Sequence, residues 1–233
     1  MSAFATGGST GAHAERATIQ RNKRSVGCMR IEKVVGKGTF GEVYKAKDKR
    51  NNDEVALKKI ITTRETQGFP VTAIREIKIL NLMHHENIVN LREILTFDDG
   101  EYDKGEPTVI DKSFSLGDVF MVFDFADYDL SGLLKASGLA WTEQLRKSYM
   151  NQLICGVEYL HSKKIIHRDL KSANLLITKN NILKIADWGL ARIIPSNRDH
   201  RLTSPVVTLW YRSPELVLGS RYYSAEVDMW SVG

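Results

Sequence analysis

The sequence is sparing with the residues that commit a chain to a special class. It has two cysteines in 233 residues, Cys28 and Cys155, far apart and without a CxxC pattern. Neither a disulfide framework nor a zinc site can be built from them. No run approaches the roughly 18 consecutive apolar residues of a membrane span, and the N-terminus lacks the apolar core of a secretory signal. A soluble intracellular protein with no membrane partner is the expectation. Net charge is also small, since 33 Lys and Arg oppose 28 Asp and Glu for a balance of +5. Residues 1–26 carry four basic residues, Arg16, Arg21, Lys23 and Arg24, against Glu15 alone, so the rest of the chain holds only +2. That is too little to argue for direct nucleic-acid binding. With five prolines, 42% hydrophobic and 26% charged residues, the composition is globular and excludes collagen-like, mucin-like or wholly disordered chains.

Residues 1–26, rich in Gly, Ser, Ala and Thr, are expected to form a disordered basic leader; its RNKR stretch suits a nuclear import or acidic-surface patch, but four basic residues in a tail are more often a solvated tail. Beyond it, Met29 to Val35, Glu42 to Ala46 and Glu54 to Ile61 predict three consecutive antiparallel strands. Val71 to Leu82, just after Pro70, predicts a helix with Ile74, Ile77, Ile79, Leu80 and Leu82 as its apolar positions. Thr96 to Asp118 reads as a mobile inserted loop, followed by a strand from Val119 to Phe125. In Thr142 to His161 the residues Leu145, Tyr149, Leu153, Val157 and Leu160 recur at helical spacing behind a Thr142 N-cap. A mainly β first half and a mainly helical second half predict an α+β chain of two lobes.

Chemistry is concentrated in a few stretches. Gly36-Lys37-Gly38-Thr39-Phe40-Gly41-Glu42-Val43 links the first two strands as GxGxxGxV. Its glycines precede and enter a strand, whereas a dinucleotide-binding fingerprint opens a helix. This favours a hairpin whose backbone closes over phosphates, with Phe40 at its tip. Lys58 follows Val55-Ala56-Leu57, so an ammonium near apolar surroundings calls for a carboxylate, and Glu76 on the next helix can supply it. Further on come His167-Arg168-Asp169-Leu170-Lys171-Ser172-Ala173-Asn174, then Asp187-Trp188-Gly189, then Ser213-Pro214-Glu215.

In this order, downstream of the glycine loop and Lys58, these motifs resemble those of eukaryotic protein kinases. The resemblance covers residues 27–233 and implies the two-lobed α+β kinase fold, with an N-lobe over 27–124 and a C-lobe over 125–233. It implies ATP and Mg²⁺. Asp169 would accept the substrate hydroxyl's proton, Lys171 would face the transferred phosphate, and Thr208 would bridge the two. Lys58 and Glu76 would form the phosphate-binding pair, and Asn174 and Asp187 would hold the metal. The nucleotide would lie under Gly36, Lys37, Gly38, Thr39, Phe40, Gly41 and Val43, with its adenine against Ala56, Phe123, Asp124 and Ala126. Asp129, Lys171, Asn174, Leu176 and Asp187 would complete the site. Asp228 matches an aspartate that anchors the catalytic loop. Thr203 matches a phosphorylated threonine gripped by Arg75, Arg168 and Arg192, and Val206 and Val207 match a pocket for proline after the acceptor residue.

The stretch Gly68-Phe69-Pro70-Val71-Thr72-Ala73-Ile74-Arg75-Glu76 resembles the PSTAIRE-type signature of cyclin-dependent kinases in a PITAIRE-like form. With Val122-Phe123-Asp124-Phe125 and Val206-Val207-Thr208-Leu209-Trp210-Tyr211-Arg212, it looks most like the transcription-elongation branch. That likeness implies a K- or T-type cyclin, Ser/Thr-Pro substrates such as the C-terminal repeats of RNA polymerase II, and a nuclear location. Mitogen-activated kinases are the nearest rival, but Thr203-Ser204-Pro205 lacks their Thr-x-Tyr. Two departures stand out. Trp188 takes the usual Phe of the metal-binding triplet, and the family would continue beyond Gly233 through further helices. A truncated, inactive scaffold that holds ATP or cyclin is therefore the competing expectation.

Overall fold

A computed structural model describes residues 24–38, 41–61, 69–98, 114–136, 138, 140–194, 201–203 and 207–233. The first lobe is a five-stranded antiparallel sheet in the order β1-β2-β3-β5-β4, formed by β1 (Met29–Gly38), β2 (Gly41–Asp48), β3 (Glu54–Ile60), β4 (Leu91–Thr96) and β5 (Val119–Asp124). One helix, α1 (Val71–Leu80), follows β3 in the chain and packs Ala73, Ile79 and Leu80 into a core cluster with Ile60, Met121 and Phe123. Apolar alternation accounts for the sheet, since Ile31, Tyr44, Ala46, Val55, Leu57, Phe120 and Val122 bury into one cluster. The second lobe holds α2 (Leu130–Lys135), α3 (Glu143–Ser162), α4 (Pro214–Val217) and α5 (Glu226–Val232). Short pairings join β6 (Tyr128–Asp129) to β8 (Leu175–Ile177) and β9 (Leu183–Ile185), and β7 (Ile165–Ile166) to β10 (Arg192–Ile193).

The two-lobed α+β expectation holds, as do the three leading strands. Thr142 caps α3, its Oγ1 accepting from the Leu145 amide at 3.2 Å, and the helix buries Tyr149, Leu153, Val157 and Leu160. Close packing also needs Gly156, where a Cβ would lie 2.8 Å from Ile185 Cδ1. α1 ends at Leu80, two residues early, because Leu82 turns back to the Ile79 carbonyl and is exposed. Ile74 faces outward and Glu76 inward, the reverse of a purely apolar pattern. The last β5 residue is Asp124, so Phe125 belongs to the linker between lobes.

Two expectations need correction. Residues 24–26, assigned to the leader, belong to the fold, because Val26 is fully buried and Arg24 pairs with Asp48 and Glu93. The rest of the leader lies outside the described residues. In the inserted loop, Thr96 ends β4, and Phe114 packs against Tyr44, Phe97 and Phe120 with ring centroids 5.2, 5.7 and 4.7 Å apart. Both ends of that loop are therefore anchored, and residues 99–113 lie outside the described residues.

Candidate active site

A cleft of about 850 Å³ separates the lobes. Gly36, Lys37, Gly41 and Val43 line its roof, and Ala56 and Phe123, direct partners across the β3–β5 ladder, form its inner wall. Asp124, Ala126 and Asp129 lie along the linker side, with Asn174, Leu176 and Asp187 below. Gly38 pairs with Gly41 at the hairpin end, whereas Thr39 and Phe40 lie outside the described residues. Gly41 has φ +139°, and a Cβ there would sit 2.1 Å from the Lys59 carbonyl oxygen, so only glycine lets β2 pass this close to β3. Asp129 also caps α2, accepting from the Gly132 amide at 2.7 Å.

β3 and α1 bring Lys58 and Glu76 together. Lys58 Nζ donates to Glu76 Oε1 at 2.7 Å, with the two side chains only 14% and 7% exposed. The same ammonium lies 3.9 Å from Asp187 Oδ1. One cation thus stands between two carboxylates at the inner end of the cleft. That explains why Glu76 is buried against the helical pattern, and it fits an anionic ligand entering from the cleft.

A second network surrounds Asp169, itself 6% exposed. Lys171 Nζ donates to Asp169 Oδ2 at 2.7 Å and to Thr208 Oγ1 at 3.1 Å, and Thr208 Oγ1 donates to Asp169 Oδ1 at 2.9 Å. Asn174 Nδ2 donates to the Asp169 backbone carbonyl at 2.8 Å and to Oδ2 at 3.1 Å. With Nδ2 spent in this way, the Asn174 amide oxygen is its atom available to a cation. Asn174 and Asp187 both line the cleft and both offer oxygen, the donor Mg²⁺ prefers. No cluster of three or more His, Cys, Asp or Glu stands ready for a metal among the described residues. Two protein oxygens suit an ion that takes its other ligands from phosphate and water.

α5 fixes the loop that leads into Asp169. Asp228, fully buried, accepts the amides of His167 and Arg168 at 2.8 Å each and meets His161 Nε2 at 2.9 Å. Arg168 sends Nε to the Leu190 carbonyl at 2.8 Å and Nη1 to Tyr223 at 2.6 Å and to Thr203 Oγ1 at 3.1 Å. Its buried Nη2 has no partner among the described residues. Burial and the nearby charges of Arg168 and Arg75 push the Arg192 guanidinium down to about 10. Thr203 thus meets Arg168, and the charges of Arg168 and Arg75 reach Arg192.

Trp188 is 1% exposed and packs edge-on against His167, ring centroids 4.7 Å apart. The larger ring is thus accommodated inside the core. Val207 carries φ 69°, and its carbonyl accepts from Arg212 Nη2 at 2.8 Å. Val206 lies outside the described residues. Motif reading passed over Lys45, Val89 and Tyr128, which also line the cleft. Lys45 stands two residues beyond Val43, so strand alternation was the available signal. It pairs with Glu54 at 2.5 Å and stands 4.5 Å over the Phe125 ring, joining the roof to the linker.

Residues 29–233 match the family model of the protein kinase domain. The chain is 48% identical over 211 residues to cyclin-dependent kinase C-2 of Oryza sativa subsp. japonica, covering 90% of this chain and 41% of that protein. It is 47% identical over 202 residues to cyclin-dependent kinase 9 of Danio rerio, covering 85% and 52% respectively. The chain thus spans about half, or less, of the length of these curated relatives.

Proposed function

Because the chain belongs to the protein kinase family, we propose that it transfers the γ-phosphoryl group of Mg-ATP to serine or threonine hydroxyls as a cyclin-dependent enzyme. The observation that carries this reading is the convergence of Lys171, Asn174 and Thr208 on Asp169. Asp169 would take the proton as the acceptor oxygen attacks the γ-phosphorus, and the bridging oxygen would leave with ADP. Hydrogen bonds from Thr208 and Asn174 fix the orientation of the Asp169 carboxylate, while Lys171 places positive charge beside the group in transit. Lys58, held by Glu76, would meet the α- and β-phosphates. Mg²⁺ bound by Asn174 and Asp187 would neutralise phosphate charge.

Val207 supports a proline-directed reading. Its carbonyl is already engaged by Arg212, so it is turned away from the backbone of an incoming peptide. A substrate residue with an amide N–H would leave that donor without an acceptor, whereas proline has none to lose. A cyclin partner is supported by α1, which presents Val71 (68% exposed) and Ile74 to solvent, with Leu82 just beyond it. Similarity to cyclin-dependent kinases C-2 and 9, together with the resemblance to the elongation branch, supports a K- or T-type cyclin, the RNA polymerase II C-terminal repeats as substrate, and a nuclear location.

The test is to purify the chain with a K- or T-type cyclin and measure phosphate transfer to repeat peptides, with Asp169→Asn as control. Transfer that depends on Asp169 is the expected result. A folded protein that binds ATP and transfers nothing would replace the enzyme with the scaffold.

A further inference from the structure

We infer that residues 24–28, which precede the matched kinase domain, form a strap that closes the N-lobe sheet between its two edges and links the N-terminal segment to the interlobe linker. The order β1-β2-β3-β5-β4 leaves β1 and β4 as edge strands. Immediately before β1, Ser25 forms a parallel bridge with Thr96 at the end of β4. Arg24 reaches Glu93 on β4 with one nitrogen and Asp48, the last residue of β2, with another at 2.9 Å. Between these contacts Val26 is fully buried in a cluster with Leu95, Phe120 and Val122. A tight 3-10 turn, Val26–Cys28, holds the shape, with Ser25 Oγ accepting from the Gly27 amide at 3.2 Å and the Cys28 amide donating to the Ser25 carbonyl at 3.2 Å. The strap is thus fastened to both sides of the sheet and plugs its core, covering an edge that open sheets otherwise leave free.

The same residues form the start of a charged path. Asp48, its side chain 4% exposed, also accepts Arg50 Nη2 at 2.8 Å and the Arg50 amide at 3.0 Å. Next to Glu93 on β4, Arg92 reaches Asp53 at 2.9 Å and Asp124 at 2.5 Å. Asp124 opens the linker and lines the nucleotide cleft. Arg24, Asp48, Arg50, Arg92 and Glu93 share one cavity of about 350 Å³. A force or partner acting on the segment before Arg24 would therefore reach β4 first and the linker next.

Amide hydrogen exchange of the full chain, followed by mass spectrometry, tests this independently of catalysis. Arg24→Ala/Val26→Ala, and separately Glu93→Gln, should speed exchange in residues 91–96 by about tenfold, while β2 and β3 change by less than about twofold. Arg50→Ala removes a partner of Asp48 from outside the strap and should leave residues 91–96 unchanged. Parental protection of residues 91–96 in both strap variants overturns the inference. Equal acceleration of β2, β3 and β4 also overturns it, because that is general destabilisation rather than an opened edge.

Discussion

Replacing Lys58 by Met keeps much of the side chain's length and deletes its charge, which leaves Glu76 as a carboxylate with a side chain only 7% exposed. Removing one partner of a buried ion pair costs about 3–5 kcal/mol. Because the lysine side chain is itself 14% exposed, the lower end applies, about 3 kcal/mol. For a chain of this size that corresponds to a fall in melting temperature of roughly 6–12 °C. A double variant, Lys58→Met/Glu76→Leu, puts apolar groups on both sides and should recover about 2 kcal/mol of the loss. Phosphate transfer should drop at least about 100-fold in both variants, since neither restores a cation to the phosphates. Thermal unfolding by circular dichroism and transfer to a repeat peptide, measured on the same preparations, separate the structural from the catalytic share. If single and double variants melt together, Glu76 was never left buried and unpaired. Transfer near the parental rate in Lys58→Met would remove Lys58 from the chemistry altogether.

Phosphate on Thr203 should raise the melting temperature, because it adds about −1.5 to −2 charges beside Arg168, whose Nη1 meets Thr203 and whose Nη2 lacks a partner among the described residues. Differential scanning fluorimetry of the phosphorylated and unmodified chain decides, and an unchanged or lower midpoint refutes the arginine site. Peptides with Pro rather than Ala after the acceptor should show kcat/KM at least about tenfold higher, a gap of one lost hydrogen bond; equal values would dismiss the role given to Val207. The Asp48 carboxyl is held far below the usual carboxylate range, chiefly by hydrogen bonds from Arg50 and then Arg24. Its contribution to stability is therefore complete above about pH 4 and is lost as pH falls further. Asp48→Asn should lower the urea midpoint more at pH 7 than at pH 3, and an equal loss at both would show that ionisation of Asp48 adds nothing.

The cluster around Asp169 was legible because its parts lie in contiguous motifs. Asp169, Lys171 and Asn174 fall within six residues, so their convergence needs one loop and one partner, Thr208. Lys58 and Glu76 were legible as a pair because the cost of a lysine among apolar residues demands a partner. What escaped reading depends on tertiary context. β4 carries Arg92 and Glu93 and buries only Leu95, so its pattern is that of a polar connector until β5 and the strap lie beside it. α2 fully buries none of its six residues, and although Leu130, Leu133 and Leu134 follow helical spacing, the run is too short to stand out in sequence. Val26 was lost in an average over a polar leader, although its one buried side chain is enough to place residues 24–26 in the fold.

Backbone strain shows where that context is exacting. Among the described residues, six non-glycine positions have positive φ, and Asn52 and Asn181 are asparagines in ordinary turns. Arg168 (φ 68°), Asp187 (φ 66°) and Val207 (φ 69°) are different, because each belongs to the proposed machinery, and Arg and Val are not residue types enriched in that region. Such positions cost about 1–3 kcal/mol each and persist only where neighbours over-determine them. Arg168 is held by Asp228 at its amide and by Leu190 and Tyr223 at its guanidinium. Val207, β-branched and so the least suited to this region, has its carbonyl held by Arg212. Asp187 is flanked by the Ala186 amide on the Asn174 carbonyl and by Trp188 wedged against His167. For Arg168 and Val207 the restraints come in part from chain that follows the motif itself, from Arg212, Tyr223 and Asp228. The backbone at Val207 and the loop leading into Asp169 are therefore held in part by the same stretch, Arg212 to Asp228.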